Sequence, residues 1–181
     1  SELSFNESLR IETGGRLSST TGDISLLKVF TLNGDLVQGG GLLNLIGGGT
    51  VGATGKLDMS DSELKLGSGL SITGTLVANT GSNWSGWDGT LDLTSGSLES
   101  SGGTINLNDF STGTNTTFKL SGDTEITSNS DITFGTLDLS GNKLTLATES
   151  AGLTLPNTLT MDNASSSIET KNANLTLGQA L

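Results

Sequence analysis

A chain of 181 residues supplies about one domain's worth of sequence, and 93 of its positions are Gly, Thr, Ser or Asn. Leu, Ile, Val and Phe still total 47 residues, enough for a core, while Cys and His are absent, which excludes disulfide scaffolds, thiolate or imidazole metal sites and every histidine-based triad. The net charge of -11 repels nucleic acid and anionic lipid, and no apolar run is long enough to span a membrane.

Gly, Ser, Thr and Asn interrupt every stretch that could carry a helical stripe. What recurs is a three-residue unit, apolar–x–apolar, set off by short runs of turn-forming residues. Such brief alternation predicts a minimal strand with two side chains facing inward. In chain order the units open with Leu3-Ser4-Phe5 and continue through Leu64-Lys65-Leu66, Leu91-Asp92-Leu93 and Leu137-Asp138-Leu139 to Leu175-Thr176-Leu177.

Taken three at a time, the units form three columns. The first runs Leu3, Ile24, Leu43, Leu64, Leu91, Phe118, Leu137, Leu159. The second runs Leu9, Phe30, Val51, Leu70, Leu98, Ile126, Leu144, Ile168, and the third Leu17, Leu36, Leu57, Leu76, Ile105, Ile132, Leu153, Leu175. Steps down the first column are 21, 19, 21, 27, 27, 19 and 22 residues, about 22 per turn. The expectation is an all-β fold: a three-sided parallel β-helix, or β-solenoid, of about eight turns, with residues 1–181 as a single module. Glycines then make tight corners, and the lone Pro156 falls in a turn. The pattern starts at Leu3 and still runs at Leu177, so the chain reads as a fragment of a longer solenoid, or as a unit whose open edges meet neighbouring turns or subunits end to end.

The units Thr90-Leu91-Asp92-Leu93, Gly103-Thr104-Ile105-Asn106-Leu107 and Thr136-Leu137-Asp138-Leu139-Ser140-Gly141-Asn142 resemble repeats of filamentous-haemagglutinin-like adhesins and autotransporter passengers. That resemblance implies a right-handed β-helix in a secreted, extracellular or cell-surface bacterial protein, acting as a structural rod or adhesion module of a filament. A phage tail-fibre shaft shares the composition.

Chemistry is sparse. A solenoid carbohydrate-active enzyme needs converging carboxylates, and the columns stack no two acids in successive turns, so the chain is read as non-enzymatic, without cofactor or metal. Ice binding is the third reading, from Thr133, Thr154 and Thr176 in the third column, but Asp58 and Asn106 break that rank upstream. Outward residues Lys65, Asp92, Lys119 and Asp138 are expected to alternate in charge down one face. The passages Leu76 to Leu91 and Ile105 to Phe118 read as two long insertions at one corner of adjacent turns. Residues 79–90 and 108–117 there bring together Asn83, Trp84, Trp87, Asp88, Asp109 and Asn115, aromatic rings beside polar groups that suit a cell-surface glycan or protein partner.

Overall fold

The computed structural model describes residues 2–79, 82–84, 91–107, 110–147, 152–155, 157–162 and 164–178. All secondary structure among them is β: 26 strands of two to four residues, every pairing parallel. One sheet runs unbroken through eight strands: Arg16–Ser19, Asp35–Gln38, Lys56–Asp58, Thr75–Ala78, Ser97–Ser100, Thr117–Leu120, Thr136–Asp138 and Thr158–Thr160. Its central positions stack as Leu17, Leu36, Leu57, Leu76, Leu98, Phe118, Leu137 and Leu159, in steps of 19 to 22 residues.

Between consecutive strands of this third face the chain makes two others, so each turn has three sides. The first face holds Glu2–Phe5, Asp23–Leu26, Leu42–Leu45, Glu63–Leu66 and Asn83–Trp84, then, as a separate ladder, Gly103–Asn106, Thr124–Thr127, Lys143–Leu146 and Ser167–Thr170. The second face holds Leu9–Ile11, Phe30–Leu32, Gly49–Val51, Leu70–Ile72, Leu91–Asp92 and Phe110–Ser111, then Ile132–Thr133, Leu153–Leu155 and Leu175–Leu177. Eight turns and two strands of a ninth make a β-solenoid, as the periodicity predicts.

The assignment of strands to faces needs correction beyond Leu76. Trp84 lies in register with Leu64 on the first face, and Phe110 with Leu91 on the second. Both sit in two-residue strands without a second apolar partner, so the apolar–x–apolar rule passes over them. Each omission advances the frame by one face. Leu91 therefore belongs to the second face, and Phe118, Leu137 and Leu159 to the third. The turns of 27 residues are ordinary turns containing an uncounted strand. A smaller slip occurs at Gly49, which pairs with Phe30 while Val51 pairs with Leu32. The Phe30 ring fills the space that a side chain at position 49 would need.

The core follows the pleat. Inward pairs such as Leu43 and Leu45, Leu64 and Leu66, or Leu137 and Leu139 are fully buried. Phe118 and Phe134 meet across the interior with ring centroids 4.8 Å apart, within the favourable range for tilted rings. At the corner entering the third face, the carbonyls of Gly15, Gly34, Gly55, Gly74 and Gly96 accept the amides of Asp35, Lys56, Thr75, Ser97 and Thr117, at 2.9–3.0 Å. At Gly34, Gly55, Gly74 and Gly96 the preceding turn approaches so closely that only a bare backbone fits.

Candidate functional site

Of the residues singled out from the sequence, the described ones do not share one corner. Asn83 and Trp84 lie in a first-face strand, in register with Glu63 and Leu64. Asn115 is exposed in the turn that leads from the second face to the third. Trp87, Asp88 and Asp109 lie outside the described residues. In chain order, residues 85–90 and 108–109 both join the first face to the second, in consecutive turns. The expected pair of long insertions is replaced by strands.

Six of the described acids serve the corners. In the repeated unit Leu-Asp-Leu/Met-Ser/Thr, the Asp carboxylate accepts both the amide and the hydroxyl two residues on. Asp58 takes Ser60 at 3.2 and 2.8 Å, Asp92 takes Thr94 at 2.9 and 2.7 Å, and Asp138 takes Ser140 at 3.0 Å twice. Such Asx turns close a bend within two residues. A second device links turns: Asp23, Asp123 and Asp131 accept the amides of Leu42, Lys143 and Gly152, each at 2.8 Å. These carboxylates are committed to the fold, a role that for Asp58, Asp92 and Asp138 the sequence carried in the Leu-Asp-Leu/Met-Ser/Thr spacing itself.

The charge ladder expected on the first face is divided. Asp92 lies on the second face between Ser71 and Ser111, whereas Lys119 lies on the third between Glu99 and Asp138. Alternation survives only as Glu99, Lys119, Asp138. The hydroxyl rank grows by the same correction. Thr31, Thr50, Ser71, Asp92 and Ser111 stack on the second face, and Thr133, Thr154 and Thr176 continue it beyond the ladder break. Thr112 spans that break, its hydroxyl accepting the Thr133 amide at 3.2 Å.

A polar recess lies on the second part of the first face. It has a volume of about 310 Å³ and is lined by Gly103, Thr104, Asp123, Thr124, Glu125, Lys143 and Thr145. The outward row beneath it is Thr104, Glu125, Thr145, Glu169. Glu125 is paired with Lys171, two turns on, and Lys143 with Glu169, one turn on. The Lys143 ammonium, by hydrogen bond and charge, holds the Glu169 carboxyl below the ordinary glutamate range, and Glu169 in turn raises Lys143. Sequence reading missed this row because the displaced frame assigned Ile105, Ile126 and Leu144 to two different columns.

Among the described residues no group of three His, Cys, Asp or Glu is arranged to hold a metal ion, and no helix is long and apolar enough to cross a membrane. No family model, curated protein or solved structure matches the chain.

Proposed function

We propose that this chain is a structural rod module of an extracellular bacterial surface protein or filament, of the filamentous-haemagglutinin and autotransporter-passenger kind. The observation that carries the reading is the unbroken eight-strand third sheet. At about 4.8 Å per level it gives a stiff element roughly 34 Å long from under two hundred residues. Both end turns keep free strand edges among the described residues, since Glu2–Phe5 and Ser167–Thr170 each pair on one side only. Flanking turns of a longer chain or a second subunit would cover those edges, end to end. The acids support a structural rather than a catalytic role, because Asp23, Asp58, Asp92, Asp123, Asp131 and Asp138 are bound into the backbone, and the Lys143 ammonium holds the Glu169 carboxyl below its ordinary range, the opposite of what a general acid needs. Contact with a target remains with the faces and corners that project from the rod.

Antibodies raised against the purified chain test the location on intact and permeabilised source cells. Labelling of intact cells is the expected result; labelling only after permeabilisation would overturn the surface reading.

A further inference from the structure

The two ends of the rod fit one another. Of the five large apolar side chains exposed among the described residues, three stand at the ends: Leu3 at 45%, Met161 at 47% and Leu175 at 37%. Their neighbours one turn inward show what such positions become when covered. Ile24 beside Leu3, Leu139 beside Met161 and Leu153 beside Leu175 are at most 1% exposed. Among the described residues, Glu2–Phe5, Leu9–Ile11 and Arg16–Ser19 pair on one side only at the first end, and Thr158–Thr160, Ser167–Thr170 and Leu175–Leu177 do so at the other. Each end is therefore a staircase of three strand edges, one per face.

The staircase decides how a second copy seats. Thr158–Thr160 stands one level behind the other two edges, so a copy set face on face would join two sheets and leave the third two levels apart. A rotation by one face closes that step. Glu2–Phe5 then lies on Thr158–Thr160, Leu9–Ile11 on Ser167–Thr170, and Arg16–Ser19 on Leu175–Leu177. In this register Leu3 meets Leu159 and Phe5 meets Met161, while Leu9 and Leu17 meet Ile168 and Leu175. All three exposed end residues are covered. Charge agrees with shape: Arg10 comes opposite Glu169 and Glu12 opposite Lys171, pairings that favour adjacent strands. A two-fold contact between like ends would reverse the order of the faces, so it could match one face at most.

We infer that copies of this chain join head to tail, the Glu2–Phe5 end of one seated on the Thr158–Thr160 end of the next with a rotation of one face. The contact continues the turn-on-turn packing of the rod itself. It is heterologous and does not close, so it builds an open filament, and 26 strands in three faces give a rise of about 42 Å per copy. The inference rests on the rod reading only for the setting in which copies meet.

Sedimentation velocity of the purified chain should show a series of species that grows with concentration. Leu3→Lys and Met161→Lys each spoil one end at a side chain that is already exposed. Each variant should stay monomeric alone, and the two should form a one-to-one dimer when mixed, because each supplies the end the other lacks. The rotation is read by disulfide capture, since the chain has no cysteine of its own. Facing residues on adjacent strands lie within disulfide reach. Under mild oxidation Ser4→Cys should join Thr160→Cys at least fivefold faster than it joins Glu169→Cys, which would face it in the unrotated stack. Capture needs neither lysine variant, so it stands if one of them folds poorly. A monomer at millimolar concentration, self-association of either lysine variant alone, or faster capture by Glu169→Cys would each overturn the inference. A chain that labels intact cells yet stays monomeric keeps the surface reading and loses this one.

Discussion

Gly74→Ala tests the closest packing in the solenoid. Gly74 belongs to the glycine column at the entry to the third face, where the Ser97 amide bonds its carbonyl at 2.9 Å and the Thr75 amide bonds Gly55 at 3.0 Å. A methyl group at position 74 would fall inside the carbonyl oxygens of Gly55 and Gly52, both backbone atoms with no rotamer to yield. Relief requires the two turns to separate. Overpacking of this kind costs about 1–3 kcal/mol, and stretching the Thr75 ladder bond adds about 1 kcal/mol. The reduced freedom of the unfolded chain returns about 0.4–1 kcal/mol. The net loss is about 2 kcal/mol, equivalent to a Tm about 4–8 °C lower for a chain of this size. Gly39→Ala is the matched control, since its methyl would lie 3.6 Å from the nearest atom and its φ is not left-handed. That variant should be neutral, or stabilised by a few tenths of a kcal/mol to about 1 kcal/mol. Differential scanning calorimetry of both variants decides the matter. If Gly74→Ala melts no lower than Gly39→Ala, the turns are not in contact at this corner and the register argument fails.

Ser100→Ala removes one side of the buried Ser100–Thr124 hydrogen bond together with the acceptor that takes the Gly102 amide at 3.2 Å; a loss of about 1–2 kcal/mol by urea denaturation is expected, with Ser100→Ala/Thr124→Val less than additive. In carboxyl NMR titrations, Glu169 should titrate below the ordinary glutamate value of about 4.3 and return toward it in Lys143→Met. The sign follows from the depressed value: the Glu169 contribution to stability is present above the unfolded pKa and is lost as pH falls through the folded one. Amide exchange should be slowest along the third face and faster where the other ladders break, around Gly103–Asn106 and Ile132–Thr133; earliest exchange at Ser97–Ser100 or Thr117–Leu120 would contradict this.

The fold class was legible because the inward pair of a short strand must be apolar on both sides of one outward residue. Leu64-Lys65-Leu66 and Leu137-Asp138-Leu139 advertise themselves in that way, and both are buried as expected. Asn83-Trp84 and Phe110-Ser111 do not, because each is a two-residue strand whose sequence lacks the second apolar residue of the unit. Period alone held the missing information: restoring them brings every step on the third face to between 19 and 22 residues. The recess over Thr145 was illegible for a related reason. A site on a solenoid wall is made of residues about one turn apart, so an error of one strand disperses it entirely.

The ladder interruptions bear on how such a rod keeps its continuity. The first face is broken between Asn83–Trp84 and Gly103–Asn106, and the second between Phe110–Ser111 and Ile132–Thr133. These gaps fall at successive turn interfaces, one after the fifth turn and one after the sixth. Every interface therefore keeps at least two of its three sheets hydrogen-bonded, and the third face is intact at both. The second gap is also spanned by Thr112 and by the Thr136 amide on the Thr116 carbonyl at 3.2 Å. In a one-dimensional stack each interface must hold alone, because no distant contact can compensate for it. Staggering the gaps, rather than aligning them, lets the chain accommodate the Trp84 and Phe110 strands without creating a level at which the rod could part.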